Sequence, residues 1–519
     1  MPAQSSAATR AWHVLVWTFV LFLPVAAAAQ QPPVPPSPPT PNLEQRVREL
    51  EGIVRQMQAE RPGVALIPAT EQIPATPNGC DPGASAAAAA AAASDNPGQG
   101  SRVLAGWDEK RGFFIRSSDD RFNLRLTGQI QADYRAFLDG RDYTDIDSFF
   151  VRRARLGIEA DMFQYYEFRL LPDFSNAQSS TSTTASTRIQ DAYINVHYWD
   201  WFQVEAGKFK QPVSYEQLIQ DRFVPTLERS IIDQLVPARD EGIMIHGQKL
   251  FDNKLDYAVA VSNGEINGDF DTNKLKDVNG RVAVRPLNWD GLWPVVRGLQ
   301  LGVSGGTGVE EENVSPNTLR TPLTVPWLVF NSTVRANGRR DRLSPEVSYF
   351  YGPLGFAWQY YWEDQHLSPA AVPAPGSNTV LEVPFEGYYI LTTLLLTGEE
   401  RTTYSAPVVP LRPFEICHPI ANPGAWELVA RVSRLRVGDE VFEPIRTGRT
   451  TFVTLANPIG NSDRAVEMTL GFNWYLNAWV RMQFNWEHAW FHEPVRLGPG
   501  PDGLLRHQDT LGTRLQVIF

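Results

Sequence analysis

The chain has 519 residues, of which 43% are hydrophobic and 20% charged, and its formal net charge is −11. The acidic balance argues against a nucleic-acid binder, and two cysteines exclude a disulfide-rich scaffold or a cysteine-based zinc module. Aromatic residues make up 11%, with 15 Trp, which is high for a soluble enzyme and typical of a large β-barrel with interfacial aromatic girdles. The negative mean hydropathy argues against a helical membrane protein.

The N-terminal segment has the pattern of an export signal. Arg10 precedes an apolar run over 12–23, Pro24 ends the run, and alanines at 26–29 supply a small-residue cleavage site. We therefore predict a signal peptide at 1–29. An uncleaved anchor helix is the alternative, which the short, proline-terminated run disfavours.

The segments that follow predict a short helix between two spacers. Residues 30–41 are proline-rich and predict an extended spacer. Residues 42–60 carry apolar side chains at alternating spacings of four and three, as in a coiled coil. Two interpretations stay open: a coiled coil gathered by a trimeric body, or one amphipathic helix on a surface. Residues 61–112, rich in Pro, Ala and Gly, predict a linker; it contains Cys80, and whether that cysteine pairs with Cys417 stays open.

From residue 113 onward, apolar side chains recur with a period of two. In 121–137 the residues of one parity are apolar, whereas the other parity carries Arg, Asn, Gln and Asp. Successive side chains of a strand point to opposite faces, and soluble strands average about 5–6 residues, whereas a tilted membrane-spanning strand needs about 9–11. A soluble β-sandwich also alternates, but with shorter strands. The same pattern recurs in 149–163, 165–174, 190–198, 466–476, 480–487 and the segment ending at Phe519.

The fold class predicted from this pattern is all-β, a transmembrane antiparallel β-barrel over 113–519. Sixteen strands would give about 25 residues per strand and connection over 121–519, which suits a porin-sized barrel. Fourteen or eighteen strands stay open. The polar face would line a water-filled lumen, because charges on the lipid face are costly.

One long segment, 211–242, breaks the alternation. It contains Pro212, Pro225 and Pro237, with apolar residues at irregular spacing. A loop of this length in a compact barrel is usually functional. We predict that it folds into the lumen and narrows it; an extracellular cap is the alternative.

Six segments of the barrel region carry recognisable motifs: SFFVRRARLGIEADMF (148–163), DAYINVHY (191–198), VEAGKFKQPVSYEQL (204–218), TLERSIIDQL (226–235), GAWELVARVSRL (424–435) and MTLGFNWYLNAWVRMQFNWEH (468–488). In these segments the chain resembles the phosphate-selective porin O and P family. The resemblance spans the chain from about residue 113 to the C-terminus, and it implies a 16-stranded trimeric porin whose third loop folds inward. It also implies passage of phosphate or polyphosphate past basic residues of the lumen.

The candidate anion-binding residues are lysines and arginines of lumen parity or of the long loop. Cations in a narrow path replace the hydration of an oxyanion, Arg as a planar fork and Lys as a point charge. The resemblance places pore-lining cations in RRARLG and GKFK, so Arg153, Arg155, Lys208 and Lys210 come first. The other pore-lining candidates are Arg125, Arg169, Arg222, Arg229, Arg281, Arg285 and Arg431, and Arg135, Arg481 and Arg514 share the lumen parity.

The predicted function is an outer-membrane porin for passive diffusion of small anions, with phosphate or polyphosphate as the narrower expectation. Six acids against three arginines in the long loop put that selectivity in doubt, so a weakly selective porin for mixed small solutes is the alternative. A barrel enzyme and a cell-envelope anchor are disfavoured; H-E-x-x-H, P-loop and dinucleotide motifs are missing. No catalytic residue, cofactor or metal ligand is predicted. The expected partners are outer-membrane lipid, small anions and two further copies in a homotrimer, with the N-terminal tail in the periplasm.

Overall fold

The computed structural model describes residues 103–108, 112–138, 147–175, 187–264, 274–369, 380–446 and 452–519. The predicted signal peptide, spacer and short coiled coil lie outside the described residues, as does most of the predicted linker. The described chain begins with a hairpin of two strands, β1 (Val103–Asp108) and β2 (Gly112–Ser117). Strand structure therefore starts upstream of the predicted barrel boundary at residue 113.

The main sheet contains 18 strands, and all of them except β1 and β2 close on themselves as a 16-stranded barrel. Each barrel strand is antiparallel to its neighbours, so the predicted architecture is confirmed. The barrel strands are β3 (Phe122–Phe137), β4 (Ser148–Met162), β5 (Tyr166–Asp173), β6 (Arg188–Trp199), β7 (Phe202–Lys210), β8 (Arg239–Lys249), β9 (Leu255–Ser262), β10 (Asp277–Val284), β11 (Leu299–Glu310), β14 (Arg335–Tyr351), β15 (Leu354–Ser368), β16 (Leu381–Leu395), β17 (Ala425–Val437), β20 (Arg464–Tyr475), β21 (Val480–Arg496) and β22 (Leu504–Ile518).

The described parts of the connections contain short elements only. Two small hairpins lie in loops, β12 (Thr318–Arg320) with β13 (Pro326–Val329), and β18 (Ile445–Arg446) with β19 (Phe452–Val453). The one-turn helices are α1 (Tyr215–Leu218), α2 (Leu250–Asn253) and α3 (Pro294–Arg297), and the 3-10 turns are Asp221–Phe223, Ile231–Gln234, Asp439–Phe442 and Pro501–Gly503. Within the described segments, none of the helices has the length and apolar composition needed to cross a bilayer.

The barrel closes where β22 pairs with β3. Their register runs from Thr510 opposite Phe137 to Ile518 opposite Gln129. Gly128 and Phe519 then exchange two backbone hydrogen bonds, of 2.8 and 3.1 Å. Strand β2 pairs with the remaining part of β3, so the hairpin continues the line of β22.

The outer face of the barrel is apolar and the inner face polar along the predicted strands. On β3, Leu126 and Ile130 are exposed, whereas Gln129 and Gln131 between and beside them are buried. One end of the barrel, called the short-turn end here, has short turns except for the connections 285–298 and 396–424, and the other end has the long loops. At the short-turn end, aromatic side chains contact one another around the outside, as expected at a membrane interface; they include Trp107, Trp479, Tyr165, Tyr198, Trp199, Trp201, Trp426 and Trp474.

The long loop 211–238, named loop L3 here, folds into the barrel. The Leu227 N–H donates to Asn485 Oδ1 on β21 at 2.7 Å, and Tyr361 of β15 donates to the Leu235 carbonyl at 3.1 Å. Both partners are inner-wall side chains far from β7 and β8, which flank the loop. The inward-folded third loop is thus confirmed, and it ends at 238 because β8 already begins at Arg239.

An apolar core fills part of the interior at the long-loop end. Ile232 of loop L3, Trp327 of β13 and Val441 of loop 438–463 pack against the inward side chains Phe385 and Tyr389 of β16, and all five are essentially buried. Burying each such side chain contributes roughly 1.5–3 kcal/mol. Strand alternation predicts a polar face that lines a water-filled lumen, whereas here apolar inner faces and three loops share a core.

A second connection, 396–424, enters the barrel from the short-turn end. Its Arg401 forms an ion pair with Glu427 of β17 and donates to the hydroxyl of Tyr475 on β20. Tyr404 is fully buried and meets Phe350 edge-on at 4.9 Å. The side of the interior nearest β14–β20 is therefore occupied from both ends.

Candidate functional site

Two carboxylates of loop L3, Glu228 and Asp221, form ion pairs with arginines of the barrel wall. Glu228 accepts hydrogen bonds from Arg514 of β22 at 2.8 Å and from Arg152 of β4 at 2.7 Å. Arg153 and Arg135 reach the same carboxylate at 3.3 Å each. Glu228 thus ties the loop to β3, β4 and β22 together.

Asp221 forms the second attachment of the loop. It pairs with Arg155 of β4, with Arg229 of the loop itself at 2.7 Å, and with Arg153 at 3.7 Å. Burial opposes ionisation of Asp221, but the arginines outweigh it and hold the pKa of this loop carboxyl well below its usual range. The same balance holds the pKa of Glu228 well below its usual range.

Arg152 is a functional residue that the sequence pattern missed. Strict alternation would point it outward, because Arg153 points into the lumen. The register between β3 and β4 shifts here: Gln131 pairs with Arg153, and Ala132 pairs with Val151. Arg152 is the extra residue of a β-bulge, which re-aims side chains, and both arginines reach Glu228.

Several predicted anion-binding residues hold the loop in place instead. Arg431 of β17 donates to Thr226 Oγ1 at 2.9 Å and to the Glu228 carbonyl at 2.7 Å. Arg229 donates to the Glu216 and Ile219 carbonyls within the loop. These arginines position loop L3 by donating to its backbone.

Between loop L3 and strands β3–β8 lies a cavity of about 370 Å³. Residues 218–222 of the loop form one wall, and the inner faces of the strands form the other. Of the predicted cations, Arg155, Arg169, Lys210 and Arg222 line it, together with Arg239. The carboxylates in its lining are Asp191, Glu205 and Asp221.

Most of the cavity's cations are paired with wall carboxylates. Arg169 lies 3.1 Å from Glu159 and 3.1 Å from Asp191, and Arg239 lies 2.6 Å from Asp191. Arg155 lies 2.7 Å from Asp173 in addition to its contact with Asp221. These pairs cancel much of the positive charge that the sequence suggested.

Arg222 and Lys210 differ from the other cations of the cavity. Arg222 donates to Thr127 Oγ1 of β3 and to Gln220 Oε1, each at 2.8 Å. Lys210 donates to the Gln217 and Ile219 carbonyls at 2.6 and 2.7 Å. All of these partners are neutral, and across the described ranges neither cation has a carboxylate within 4.0 Å. Neither side chain is therefore joined to a described carboxylate by a direct ion pair.

The remaining predicted cations lie away from the cavity. Arg125 lies 3.6 Å from Glu159, Arg281 pairs with Glu346 of β14, and Arg285 lies 2.5 Å from Asp256 near the turn end. Lys208 lies in a cross-strand row with Ala192 and Glu241.

That row belongs to the outer face. Cross-strand partners share a face, and Ile243, which has the parity of Glu241 on β8, is 57% exposed. The backbone of β7 therefore directs Lys208 away from the lumen, whereas Lys210, at the end of the strand, reaches loop L3.

Other lining residues carry no positive charge. Tyr193, Glu205 and His246 come from β6, β7 and β8, and only the alternation of β6 gave a signal that Tyr193 faces inward. Among the residues that the structure describes, no group of three or more His, Cys, Asp or Glu side chains is arranged to hold a metal ion.

A closed 16-stranded antiparallel barrel with an apolar exterior and an inward third loop is the architecture of an outer-membrane porin. Sequence comparison gives the particular family: residues 124–519 match the phosphate-selective porin O and P family, and the chain belongs to it. Porin O of Pseudomonas aeruginosa (strain PAO1) is 22% identical over 432 residues, covering 79% of this chain and 91% of that protein.

Solved structures with a similar course include two further channels. The outer-membrane channel DcaP of Acinetobacter baumannii is 10% identical, with a TM-score of 0.44, covering 78% of this chain and 99% of that one. An anion-selective porin from Comamonas acidovorans is 10% identical, with a TM-score of 0.42, covering 77% and 100%.

Proposed function

We propose that this porin lets small anions diffuse passively along the cavity beside loop L3, with Arg222 and Lys210 as the cations that contact them. The observation that carries the proposal is the position of these two cations, which line the cavity and, among the described residues, donate hydrogen bonds to neutral partners only. An anion meeting them gains charge-assisted hydrogen bonds without displacing a carboxylate. Two weak binding sites that an ion meets one after the other favour conduction over one tight site, because the ion must also leave.

Phosphate and polyphosphate are the narrower proposal. The guanidinium of Arg222 presents a planar set of donors suited to phosphate oxygens, and Lys210 adds a point charge. Asp221 and Asp191 in the same lining oppose a multivalent anion. Selectivity for phosphate over chloride therefore depends on whether these two cations outweigh the nearby carboxylates.

A weakly selective porin for mixed small solutes is the second candidate. It is favoured by the pairing of Arg155, Arg169 and Arg239 with wall carboxylates. A lumen with balanced charge passes ions of both signs with little preference.

The test is single-channel recording of the purified protein in planar bilayers, under a chloride gradient and with phosphate titrated in. We expect an anion-signed reversal potential and block by millimolar phosphate. Arg222→Gln and Lys210→Gln should each shift the reversal potential toward zero, whereas Arg297→Gln, at the exposed turn end, should not. A reversal potential near zero in the unmodified protein would instead establish the weakly selective porin, and a cation-signed potential would overturn the proposal of anion passage.

Homotrimeric assembly is part of the proposal, as the family resemblance implies, with the N-terminal tail in the periplasm. Native mass spectrometry of the detergent-solubilised full chain separates three copies from one. A single copy at micromolar concentration would contradict the trimer and leave the passage of anions to be judged by conductance alone.

A further inference from the structure

Three arginines lie on the outer face of the barrel near the long-loop ends of β17 and β20. Arg434 and Arg436 share their strand parity with Val432, which is exposed, whereas Leu435 between them is buried. Arg464 of β20 is the direct cross-strand partner of Arg436. All three residues therefore lie on the face that contacts lipid.

These three arginines, called the arginine patch here, lie at a level of the barrel that also carries aromatic side chains. Arg434 is the cross-strand partner of Tyr388 on β16 and of Val466 on β20. Val466 in turn pairs with Trp490 on β21. Tyr and Trp on the outside of a barrel mark the membrane–water interface, where lipid headgroups lie. The row places Arg434 at headgroup depth.

Protein neighbours neutralise this patch incompletely. Like charges directly opposite each other, as at Arg436 and Arg464, destabilise a strand pair. Arg436 has Glu386 as its other cross-strand partner and an ion pair with Asp439 at 3.5 Å. Neither Arg434 nor Arg464 forms an ion pair with any residue in the described ranges. An anion from outside the protein would offset the remaining charge.

We propose that Arg434, Arg436 and Arg464 form a binding site for the phosphorylated headgroup of a membrane lipid. Guanidinium groups bind phosphate oxygens through paired N–H donors. The apolar side chain of Val432 lies on the membrane side of Arg434, and that of Val466 lies level with Arg434 and on the membrane side of Arg464, where acyl chains would pack. This juxtaposition favours a lipid phosphate over a soluble one.

The test uses the full chain in detergent micelles that contain equal amounts of dioleoyl phosphatidic acid and dioleoyl phosphatidylcholine. Native mass spectrometry counts the lipids that each protein molecule retains. We expect the unmodified protein to retain phosphatidic acid preferentially. The double variant Arg434→Gln with Arg464→Gln should bind it about tenfold more weakly, since each interfacial arginine contributes a substantial share of the attraction.

Arg339→Gln is the matched control, because Arg339 is an exposed arginine near the same end of the barrel and pairs with Asp341. Its phosphatidic acid retention should be unchanged. Heat-dependent mobility on gels verifies that every variant is a folded barrel. Equal retention of the two lipids by the unmodified protein, or undiminished retention by the folded double variant, would overturn the proposal. Displacement of phosphatidic acid by millimolar inorganic phosphate would also overturn it, in favour of a site for the free ion.

Discussion

Glu228 of loop L3 lies 2.8 Å from Arg514 of β22, and this contact ties the inward loop to the strand that closes the barrel. Arg514 also forms a two-pronged ion pair with Asp133 of β3, at 2.7 and 2.8 Å. The loop, the closing strand and the first barrel strand therefore share one network of charges. Apolar packing around Ile232 fixes one side of loop L3. The network of charges around Glu228 fixes the side that faces β3, β4 and β22.

Neutralising Glu228 should release loop L3 from strands β3, β4 and β22. In Glu228→Gln, the arginines 135, 152, 153 and 514 keep their burial but lose a shared counter-charge. Removing one partner of a buried ion pair costs about 3–5 kcal/mol. We expect a lower melting temperature and a larger, noisier single-channel conductance. Glu493→Gln, which removes an exposed partner of Arg506, is the control and should change neither quantity; an unchanged conductance in Glu228→Gln would contradict the attachment.

The attachment of loop L3 should resist mild acid. The pKa of Asp221 and that of Glu228 are both held well below the usual range by arginines that outweigh burial. A carboxyl with a depressed folded-state pKa contributes stability above its unfolded pKa, and that contribution is lost as the pH falls through the folded value. The contacts of these two carboxyls should therefore persist from pH 7 to about 5 and be lost only below about pH 4, with a rise in conductance in that lower range. The absence of that rise would refute the assignment to these carboxyls; a change near pH 7 belongs instead to Asp233 of the same loop, because burial raises its pKa to about 7.

Gly308 on β11 should not tolerate a side chain. A Cβ there would clash with Asp277 Oδ1, and Asp277 holds Arg340 and Arg342 at 3.2 and 3.1 Å. Gly308→Ala must displace that carboxylate, so we expect a loss of about 1–3 kcal/mol of stability, measured as a lower melting temperature. Gly280→Ala, on neighbouring β10, has no heavy atom closer than 3.6 Å to its Cβ. The two variants should differ clearly; equal melting temperatures would disprove this packing.

The two lysines of β7 should act differently on ion selectivity. Lys210 lines the cavity, whereas Lys208 shares a row with outward-facing residues. Lys210→Gln should shift the reversal potential toward zero, and Lys208→Gln should leave it unchanged within error. The measurement is the reversal potential under a fixed chloride gradient. A shift in the Lys208 variant alone would restore the sequence-based expectation that Lys208 lines the pore.

Sequence periodicity predicted the barrel because the outer wall of a membrane barrel contacts lipid along its whole length. An apolar side chain is therefore required at every second residue, as at Leu126 and Ile130 of β3. The parity of a strand residue then gives the face of the barrel wall on which it lies. The length of the chain per strand then favoured sixteen strands, which the structure contains.

The interior was harder to predict because it depends on contacts between distant segments. The β-bulge at Arg152 changes orientation by one residue, and no turn residue in RRARLG signals it. The apolar core between Ile232, Trp327 and Tyr389 joins segments far apart in the chain. Strand alternation carries no information on such pairings. The sequence therefore located the cations but not their partners, and the partners decide which charges stay available to an anion.

The seam between β3 and β22 has a consequence for how the barrel forms. Because the first and sixteenth barrel strands are partners, a chain with fifteen strands in place still presents two open edges. Pairing across this sequence separation is slow, since the entropy of closing the whole ring must be lost first. Unpaired edges are prone to associate with other chains. Assembly of this barrel should thus be limited by its final pairing, and it should depend on whatever shields the two edges until they meet.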